Sequence, residues 1–340
     1  MLLSNQYKFD FDDMLIQPAV ISQIRSRSTI DCTDHNQAMP IFAAPMDTVL
    51  DEENANLYLK LGINVCLPRG VKVSNPIDSK ALLFTSISLN EAEAIQKSDK
   101  LPKAMLIDIA NGHMQALAGA IKKIKTDHPK TIIMAGNIAH PETFVKLALA
   151  GADYIRVGIG NGAGCLTTQN AALGYPMASL IYEISKLKKE QKLKCKIVAD
   201  GGFKDYADII KGLAVGADYI MLGSIFNKAI ESAGQTTWKG IPLSKPLAKY
   251  LFKKGFKLEK YFRGMSTKEV QKKWGRKVLK TSEGVVRKRK ALYTLAGFVE
   301  NLEHYLKSNM SYCNAKNLKQ YIGNVDFNLI TTNARNRFAK

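Results

Sequence analysis

Residues 104–159 read AMLIDIANGHMQALAGAIKKIKTDHPKTIIMAGNIAHPETFVKLALAGADYIRVGI. Three short apolar runs, at 104–109, 131–136 and 154–159, are separated by two segments with apolar residues at the i, i+3, i+4 spacing of an amphipathic helix. Each run is apolar almost throughout, which is typical of a strand that helices cover on both faces. The stretch therefore predicts alternating strands and helices, the repeating unit of a parallel sheet.

The same alternation continues on both sides of this stretch. Five further apolar runs bounded by Gly, Pro, Asn or Asp lie at 40–45, 63–67, 83–87, 196–200 and 219–223. Eight parallel strands are the number that closes a (β/α)₈ TIM barrel, and a doubly wound open sheet is the alternative. We expect one α/β barrel domain over residues 1–340. Within it, a mobile flap rich in Lys, Gly and Ser occupies 231–295, and a helical tail occupies 296–340.

Composition excludes several classes of protein. With 46% hydrophobic and 23% charged residues, the chain has the composition of a globular protein rather than a disordered one. No apolar run is long enough to span a bilayer, and the first residues include acidic side chains where a signal peptide needs an apolar stretch. We therefore expect a soluble, cytoplasmic protein without a membrane partner.

Charge and cysteine content limit the macromolecular partners, disulfides and metal sites that we expect. The 49 Lys and Arg against 30 Asp and Glu give a net charge of +19, which fits either an anionic macromolecule or a solubilising surface. The lysines of the dense run at 186–196 form no helical stripe and alternate with no aromatic residue, so we expect a solvated surface and no nucleic-acid partner. The five cysteines share no CxxC spacing, which argues against a disulfide framework and a metal site.

Polar and glycine clusters follow nearly every predicted strand, and in a barrel these carboxyl ends share one face, where such enzymes place their chemistry. Gly201 and Gly202 follow the seventh strand, and Gly223 and Ser224 follow the eighth. Without a side chain, backbone N–H groups there can reach a phosphate, although each glycine taken alone fits a tight turn. Asp200 beside them can accept hydrogen bonds from ribose hydroxyls.

The segment GIGNGAGCLTTQNAALGYP at 158–176 contains the most reactive combination of residues. Glycines around Cys165 give it exposure and backbone freedom, and neighbouring N–H dipoles can stabilise the nucleophilic thiolate. A lone cysteine is more often a buried packing residue, and we expect that role for Cys32, Cys66 and Cys195. At the end of a strand, within a glycine loop, Cys165 is the candidate nucleophile.

This loop resembles the cysteine loop of the IMP dehydrogenase and GMP reductase family, whose members are (β/α)₈ barrels acting at carbon 2 of a purine nucleotide. The resemblance extends over most of the chain. It includes FDFDDMLIQP near the start, APMDTV at 44–49, DIANGH at 108–113, AGNI at 135–138, GADYIRVGIG at 151–160, ADGG at 199–202, MLGS at 221–224, RGMS at 263–266 and SEG at 282–284.

The resemblance implies a covalent mechanism. Cys165 attacks carbon 2 of the base, and Thr167 and Glu283 handle the proton. The residues that it implies for the purine nucleotide are Met46, Arg69, Asp200, Gly201, Gly202, Gly223, Ser224, Gly264, Met265 and Ser266. For the nicotinamide cofactor it implies Asp108, Asn137, Gly158, Gly160 and Lys280. It further implies a homotetramer and a monovalent cation, and no resident metal among the side chains.

Several features favour the reductase branch, with NADPH as cofactor and GMP converted to IMP and ammonia. Only about 15 residues separate the second and third predicted strands, so the CBS regulatory domain of the dehydrogenases is absent. No Arg-Tyr pair occurs in 267–281, where dehydrogenases carry their water-activating dyad. GYP at 174–176 and Phe262 also match the reductases.

Other features depart from the family. Ala163 stands in place of a phosphate-binding serine, Leu166 in place of a threonine, and Arg69 in place of a lysine near the base. The pair Gly223-Ser224 is closer to the dehydrogenase pattern. Two alternatives therefore stay open: an NAD-dependent IMP dehydrogenase without its regulatory domain, and a barrel that binds nucleotide or nucleic acid without turnover.

Overall fold

Eight short strands pair in parallel and close into a barrel in the computed structural model, which describes residues 7–265, 267 and 284–338. Strand β1, Met14–Ile16, precedes the barrel. The barrel strands are β2 Ile41–Ala43, β3 Asn64–Cys66, β4 Leu83–Ile87, β5 Ala104–Asp108, β6 Ile132–Ile138, β7 Tyr154–Val157, β8 Lys196–Asp200 and β9 Tyr219–Leu222. They pair in sequence order, and β9 pairs back onto β2. The barrel prediction is confirmed, and the open-sheet alternative is wrong.

Within the described residues, at least one helix follows each barrel strand except β3. These helices are α1 Ala55–Lys60, α2 Leu89–Ala94, α3 Gln115–Asp127, α4 Pro141–Leu149, α5 Thr167–Ala171, α6 Met177–Glu190, α7 Tyr206–Ala214 and α8 Ser224–Asn227. Their starts follow local chemistry: Ser88 and Glu91 form a capping box at α2, and the Asp205 carboxylate accepts the Asp208 N–H at α7. Each such cap contributes about 1 kcal/mol.

The barrel interior changes from apolar to charged along its axis. Four rings, those of Phe42, Phe84, Tyr154 and Tyr219, pack edge-on or tilted with centroids 5.2–6.1 Å apart. Because side chains alternate along a strand, the next inward residue after Tyr154 on β7 is Arg156. Leu106 and Val198 give way to Asp108 and Asp200 in the same manner on β5 and β8. The apolar layer thus supports a charged layer at the carboxyl ends.

An antiparallel sheet lies beside this end of the barrel. Its strands are β10 Thr236–Trp238, β11 Ile241–Leu243, β12 Glu259–Arg263 and β13 Val286–Lys290, in the order β11-β10-β12-β13, and helix α9, Lys245–Lys253, connects β11 to β12. The segment 231–295, which the sequence predicts to be a flap, therefore contains regular structure. Its mobility stays a prediction, and residues 268–283 lie outside the described chain.

The C-terminal segment packs back against the barrel. It contains α10 Leu295–Tyr312, α11 Leu318–Tyr321, β14 Phe327–Leu329 and α12 Thr332–Phe338. Leu302, Leu306 and Met310 on α10 are fully buried, and Phe298 stacks on Tyr206 of α7 at 5.0 Å. Strand β14 pairs with β1, which ties the two ends of the chain together. Among the helices of the described residues, none is long and apolar enough to cross a membrane.

Candidate active site

A cavity of about 760 Å³ opens at the carboxyl ends of the barrel strands. All described residues that the sequence predicts for the site lie along it. These are Met46, Arg69, Asp108, Asn137, Gly158, Gly160, Cys165, Thr167, Asp200, Gly201, Gly202, Gly223, Ser224, Gly264 and Met265. Ser266, Lys280 and Glu283 lie outside the described residues. The cavity has the size of a small-molecule or cofactor site, for which volumes of about 300–1,000 Å³ are usual.

The floor of the cavity is an ion triad around Arg156. Its Nη1 lies 2.6 Å from Asp108 Oδ1, and its Nη2 lies 2.7 Å from Asp200 Oδ2. Burial alone would lower the pKa of Arg156, but the Asp200 and Asp108 carboxylates outweigh it and raise that pKa. The guanidinium therefore stays charged and fixes the orientation of both carboxylates.

Asn137 and Arg69 extend this network to the cavity walls. The Asn137 side-chain amide donates to Asp200 Oδ2 at 2.8 Å and to the Gly158 carbonyl at 2.9 Å. Arg69 Nε lies 3.5 Å from Asp108 Oδ2. Since both described donors to Asp200 reach Oδ2, Oδ1 is the oxygen that a ligand can use.

The cysteine loop leaves β7 through a backbone turn that only glycine fits. Gly158 has φ +126°, and a Cβ there would lie 2.4 Å from the Asp200 carbonyl oxygen. The Cys165 N–H donates to the Gly162 carbonyl at 2.9 Å, and the Cys165 thiol donates to Thr167 Oγ1 at 3.1 Å. Cys165 is partly exposed and lines the cavity. The thiol and the threonine hydroxyl thus form one hydrogen-bonded pair facing a ligand-sized space.

Two segments of the antiparallel sheet hold the cysteine loop in place. The Val285 N–H donates to the Gly164 carbonyl at 3.1 Å, and the Gly264 N–H donates to the Val285 carbonyl at 3.0 Å. Cys165 and Gly284 also form an antiparallel bridge. A Cβ at Gly264 would lie 2.3 Å from the Gly164 carbonyl oxygen, so this approach requires glycine. The position of the cysteine therefore depends on contacts with residues about one hundred positions later in the chain.

The structure adds residues that sequence reasoning missed. The sequence pattern places Arg156 only within a strand, although a lone charge in the apolar run YIRVGI is a signal for a buried ion pair. Arg263, 4% exposed, pairs with Asp47 and joins the antiparallel sheet to the rim of the barrel. The Arg289 guanidinium lies 4.4 Å from the ring centroid of Phe262, which lines the cavity.

The remaining cysteines have a different environment. Cys32, Cys66 and Cys195 are buried, as expected for packing residues. Burial raises the pKa of the Cys32 thiol to about 11, and it raises the pKa of Cys66 and Cys195 further. The thiolate form is thus suppressed at these three positions. Cys165 is the cysteine that lines the cavity.

Comparison with known proteins places the chain in a family. The sequence profile of the IMP dehydrogenase / GMP reductase domain matches residues 78–337. The chain belongs to this family. Both of the activities in the family name are oxidoreductions, so the prediction of an oxidoreductase is confirmed, and so is the predicted family resemblance.

Curated relatives include proteins named GMP reductase from distant organisms. The chain is 28% identical over 352 aligned positions to GMP reductase 2 of Mus musculus, covering 97% of this chain and 96% of the relative. It is 27% identical over 363 positions to GMP reductase of Onchocerca volvulus, covering 99% and 95%. It is also 32% identical over 243 positions to GMP reductase of Streptococcus pyogenes serotype M5, covering 67% and 72%. The similarity to reductases thus spans nearly the full length of the chain.

Proposed function

We propose that the protein is a GMP reductase: GMP, NADPH and a proton give IMP, NADP⁺ and ammonia. The observation that carries the proposal is the Cys165–Thr167 pair, 3.1 Å apart on the cavity wall, in a chain similar over nearly its whole length to proteins named GMP reductase. NADPH, when bound, supplies the hydride that takes the place of the amino group. Every other step falls to residues of the chain.

Cys165 is the proposed nucleophile. Its thiolate forms a C–S bond to carbon 2 of guanine, and the exocyclic amino group then leaves as ammonia once it has gained a proton. Thr167 accepts the hydrogen bond of the thiol, so its hydroxyl is placed to take that proton and pass it on. Glu283, which lies outside the described residues, keeps the proton-handling role that the family resemblance implies. The C–S bond breaks when carbon 2 has been reduced, and this releases IMP.

Glycines beside the cysteine make room for the nucleotide. Gly162 lines the cavity, and a Cβ there would approach no protein atom closer than the 3.7 Å to Cys165 Cβ. Packing therefore leaves room for a side chain at Gly162, and the space it leaves open fits a ligand beside the nucleophile. We propose that Asp200 Oδ1 accepts the ribose hydroxyls. Backbone N–H groups at Gly202 and Gly223 would then hold the phosphate, with no contribution from a side chain at Ala163.

The wall formed by β5, β6 and the start of the cysteine loop fits a nicotinamide. Asp108, Asn137, Gly158 and Gly160 line it, and the ion triad keeps the Asp108 carboxylate in a fixed orientation. An amide and a carboxylate held in this way match the carboxamide of the cofactor, so these residues would hold it beside carbon 2. Lys280 and Ser266 lie outside the described residues, and their binding roles stay predictions.

Assembly and surroundings follow from the family in the same way. We propose a homotetramer in the cytoplasm, where a reducing environment suits the five free cysteines. Among the described side chains no cluster of three or more His, Cys, Asp or Glu could hold a metal, and a monovalent cation bound by backbone carbonyls stays a prediction. Light scattering of the purified protein measures the oligomeric state.

Oxidation of IMP to XMP with NAD is the second candidate, because Gly223-Ser224 is closer to the dehydrogenase pattern. Product analysis separates the two. Purified protein is incubated with GMP and NADPH, and IMP and ammonia are quantified against Cys165→Ala as control. Equimolar IMP and ammonia with the wild type, and neither with Cys165→Ala, support the proposal. The absence of IMP, or full turnover by Cys165→Ala, overturns it.

A further inference from the structure

The positive charge of the chain is concentrated in the antiparallel sheet beside the cavity. Residues 236–263 and 284–290, which we call the basic module, contain twelve Lys and Arg and one acidic residue, Glu259. The module therefore carries +11, and the rest of the chain shares the remaining +8 of the total of +19. The sequence does not show this concentration directly, because the fold brings two separate segments together in one sheet.

Most of these cations lie on the surface. The exposed ones are Lys239, Lys245, Lys249, Lys253, Lys254, Lys257, Arg287, Lys288 and Lys290. Within the described part of the chain, Lys245 is the one of these nine with a carboxylate in ion-pair range, that of Asp51 and of Glu53. The other eight exposed cations therefore have no carboxylate within ion-pair range in the described chain, and an anionic ligand would neutralise them.

Exposed rings and aliphatic side chains lie between the cations. Tyr250 is 58% exposed and Phe256 is 40% exposed. Lys254 Nζ lies 5.9 Å from the centroid of the Tyr250 ring, and Phe256 contacts the Trp238 ring at 5.6 Å. Rings beside ammonium groups can stack on bases while the lysines contact phosphates.

Helix α9 argues against a lipid surface as the partner. Ala248, Leu251 and Phe252 pack inward on the small core that contains Leu258, and Leu247 is the one leucine of the helix that is exposed, at 45%. A membrane-surface helix instead needs its apolar face free to enter the bilayer. The outward face of α9 presents Lys249 and Lys253, which suits a soluble polyanion.

We propose that the basic module binds single-stranded RNA, with Lys249, Lys253 and the adjoining Lys254 on its phosphates and Tyr250 stacked on a base. Helix α9 has nine residues and is therefore about 13 Å long, more than the phosphate of one mononucleotide can reach. An extended polyanion meets several of the cations at once. This proposal departs from the expectation of a solvated surface and no nucleic-acid partner, which rests on the lysine run at 186–196. The proposal is independent of the proposed reductase activity.

The test is fluorescence anisotropy of a labelled oligouridylate, titrated with the full-length protein at several salt concentrations. With about five phosphate contacts, affinity falls about 100-fold between about 50 and 200 mM salt. K249Q/K253Q/K254Q lowers affinity at least about tenfold and flattens the salt slope by about two. Y250A lowers affinity about tenfold and leaves the salt slope unchanged, because stacking releases no counterion.

The matched control is K186Q/K192Q/K194Q, which removes the same number of exposed charges from the lysine run outside the module. It should change affinity less than about threefold, since non-specific charge attraction at these sites is screened by salt. Thermal unfolding midpoints of the variants that equal that of the wild type within experimental error show that all variants fold. The proposal is overturned if the oligonucleotide does not bind at the lowest salt, if both triple variants weaken binding equally, or if anionic vesicles bind the module and RNA does not.

Discussion

Replacement of Arg156 tests the ion triad most severely. In Arg156→Met, the carboxylates of Asp108 and Asp200 remain on the cavity floor without the guanidinium that lies 2.6 and 2.7 Å from them. Removing one partner of a buried ion pair costs about 3–5 kcal/mol, because the remaining charge is left without compensation. For a chain of 340 residues, with an unfolding entropy of about 2.1 cal/mol/K per residue, we expect the thermal unfolding midpoint to fall by about 4–7 °C.

A surface ion pair provides the matched control. Arg335 lies 3.0 Å from Asp12, and both side chains are more than one third exposed. Arg335→Met should cost less than about 1 kcal/mol, because water already screens an exposed pair. Differential scanning calorimetry of the wild type and both variants measures the effect. If Arg156→Met shifts the midpoint no more than Arg335→Met does, the triad does not support the site as described.

Three further predictions concern the cysteine loop and a buried lysine. Cys165→Ser keeps nucleotide binding, measured by calorimetry, but lowers turnover by about 10³-fold or more, and turnover near the wild-type rate would contradict the covalent step. In Gly264→Ala the new Cβ would lie 2.3 Å from the Gly164 carbonyl oxygen, so the cysteine loop must move and turnover should fall more than tenfold. Gly119→Ala is the control, because its Cβ meets nothing within 4 Å, and it should keep full activity. Burial lowers the pKa of Lys260 from 10.5 to about 8, so the folded chain loses this proton before the unfolded chain does. The free energy of unfolding of the wild type should therefore rise by about 3 kcal/mol relative to Lys260→Met between about pH 8 and 10.5, and parallel pH profiles in denaturant titrations would refute this.

Much of the barrel is predictable from sequence because its strands are buried on both faces. Seven of the eight predicted runs contain an observed strand, and the run at 131–136 overlaps β6, which extends to Ile138. The polar clusters after these runs meet along one cavity. Continuous apolar runs and glycines at strand ends are local signals, and the closure of the barrel brings their ends together. The positions along the cavity therefore follow from order in the chain alone.

The remaining features depend on contacts between distant residues. Strands β10 and β11 have three residues each and lie in a lysine-rich segment, so no apolar run marks them. The cysteine loop is held by backbone contacts of Gly164 with Gly264 and Val285. No local pattern predicts these contacts, because they form only when the fold brings the segments together. Arg156 gains its role from two carboxylates on other strands. Patterns within one segment carry no information about such pairs.

The most direct test of the central claim compares the two directions of hydride transfer on one preparation. Nicotinamide absorbance is followed with GMP plus NADPH and, separately, with IMP plus NAD. A GMP reductase oxidises NADPH only when GMP is present and forms no NADH from IMP and NAD at a comparable rate. Oxidation of IMP by NAD without oxidation of NADPH by GMP would contradict the proposed function.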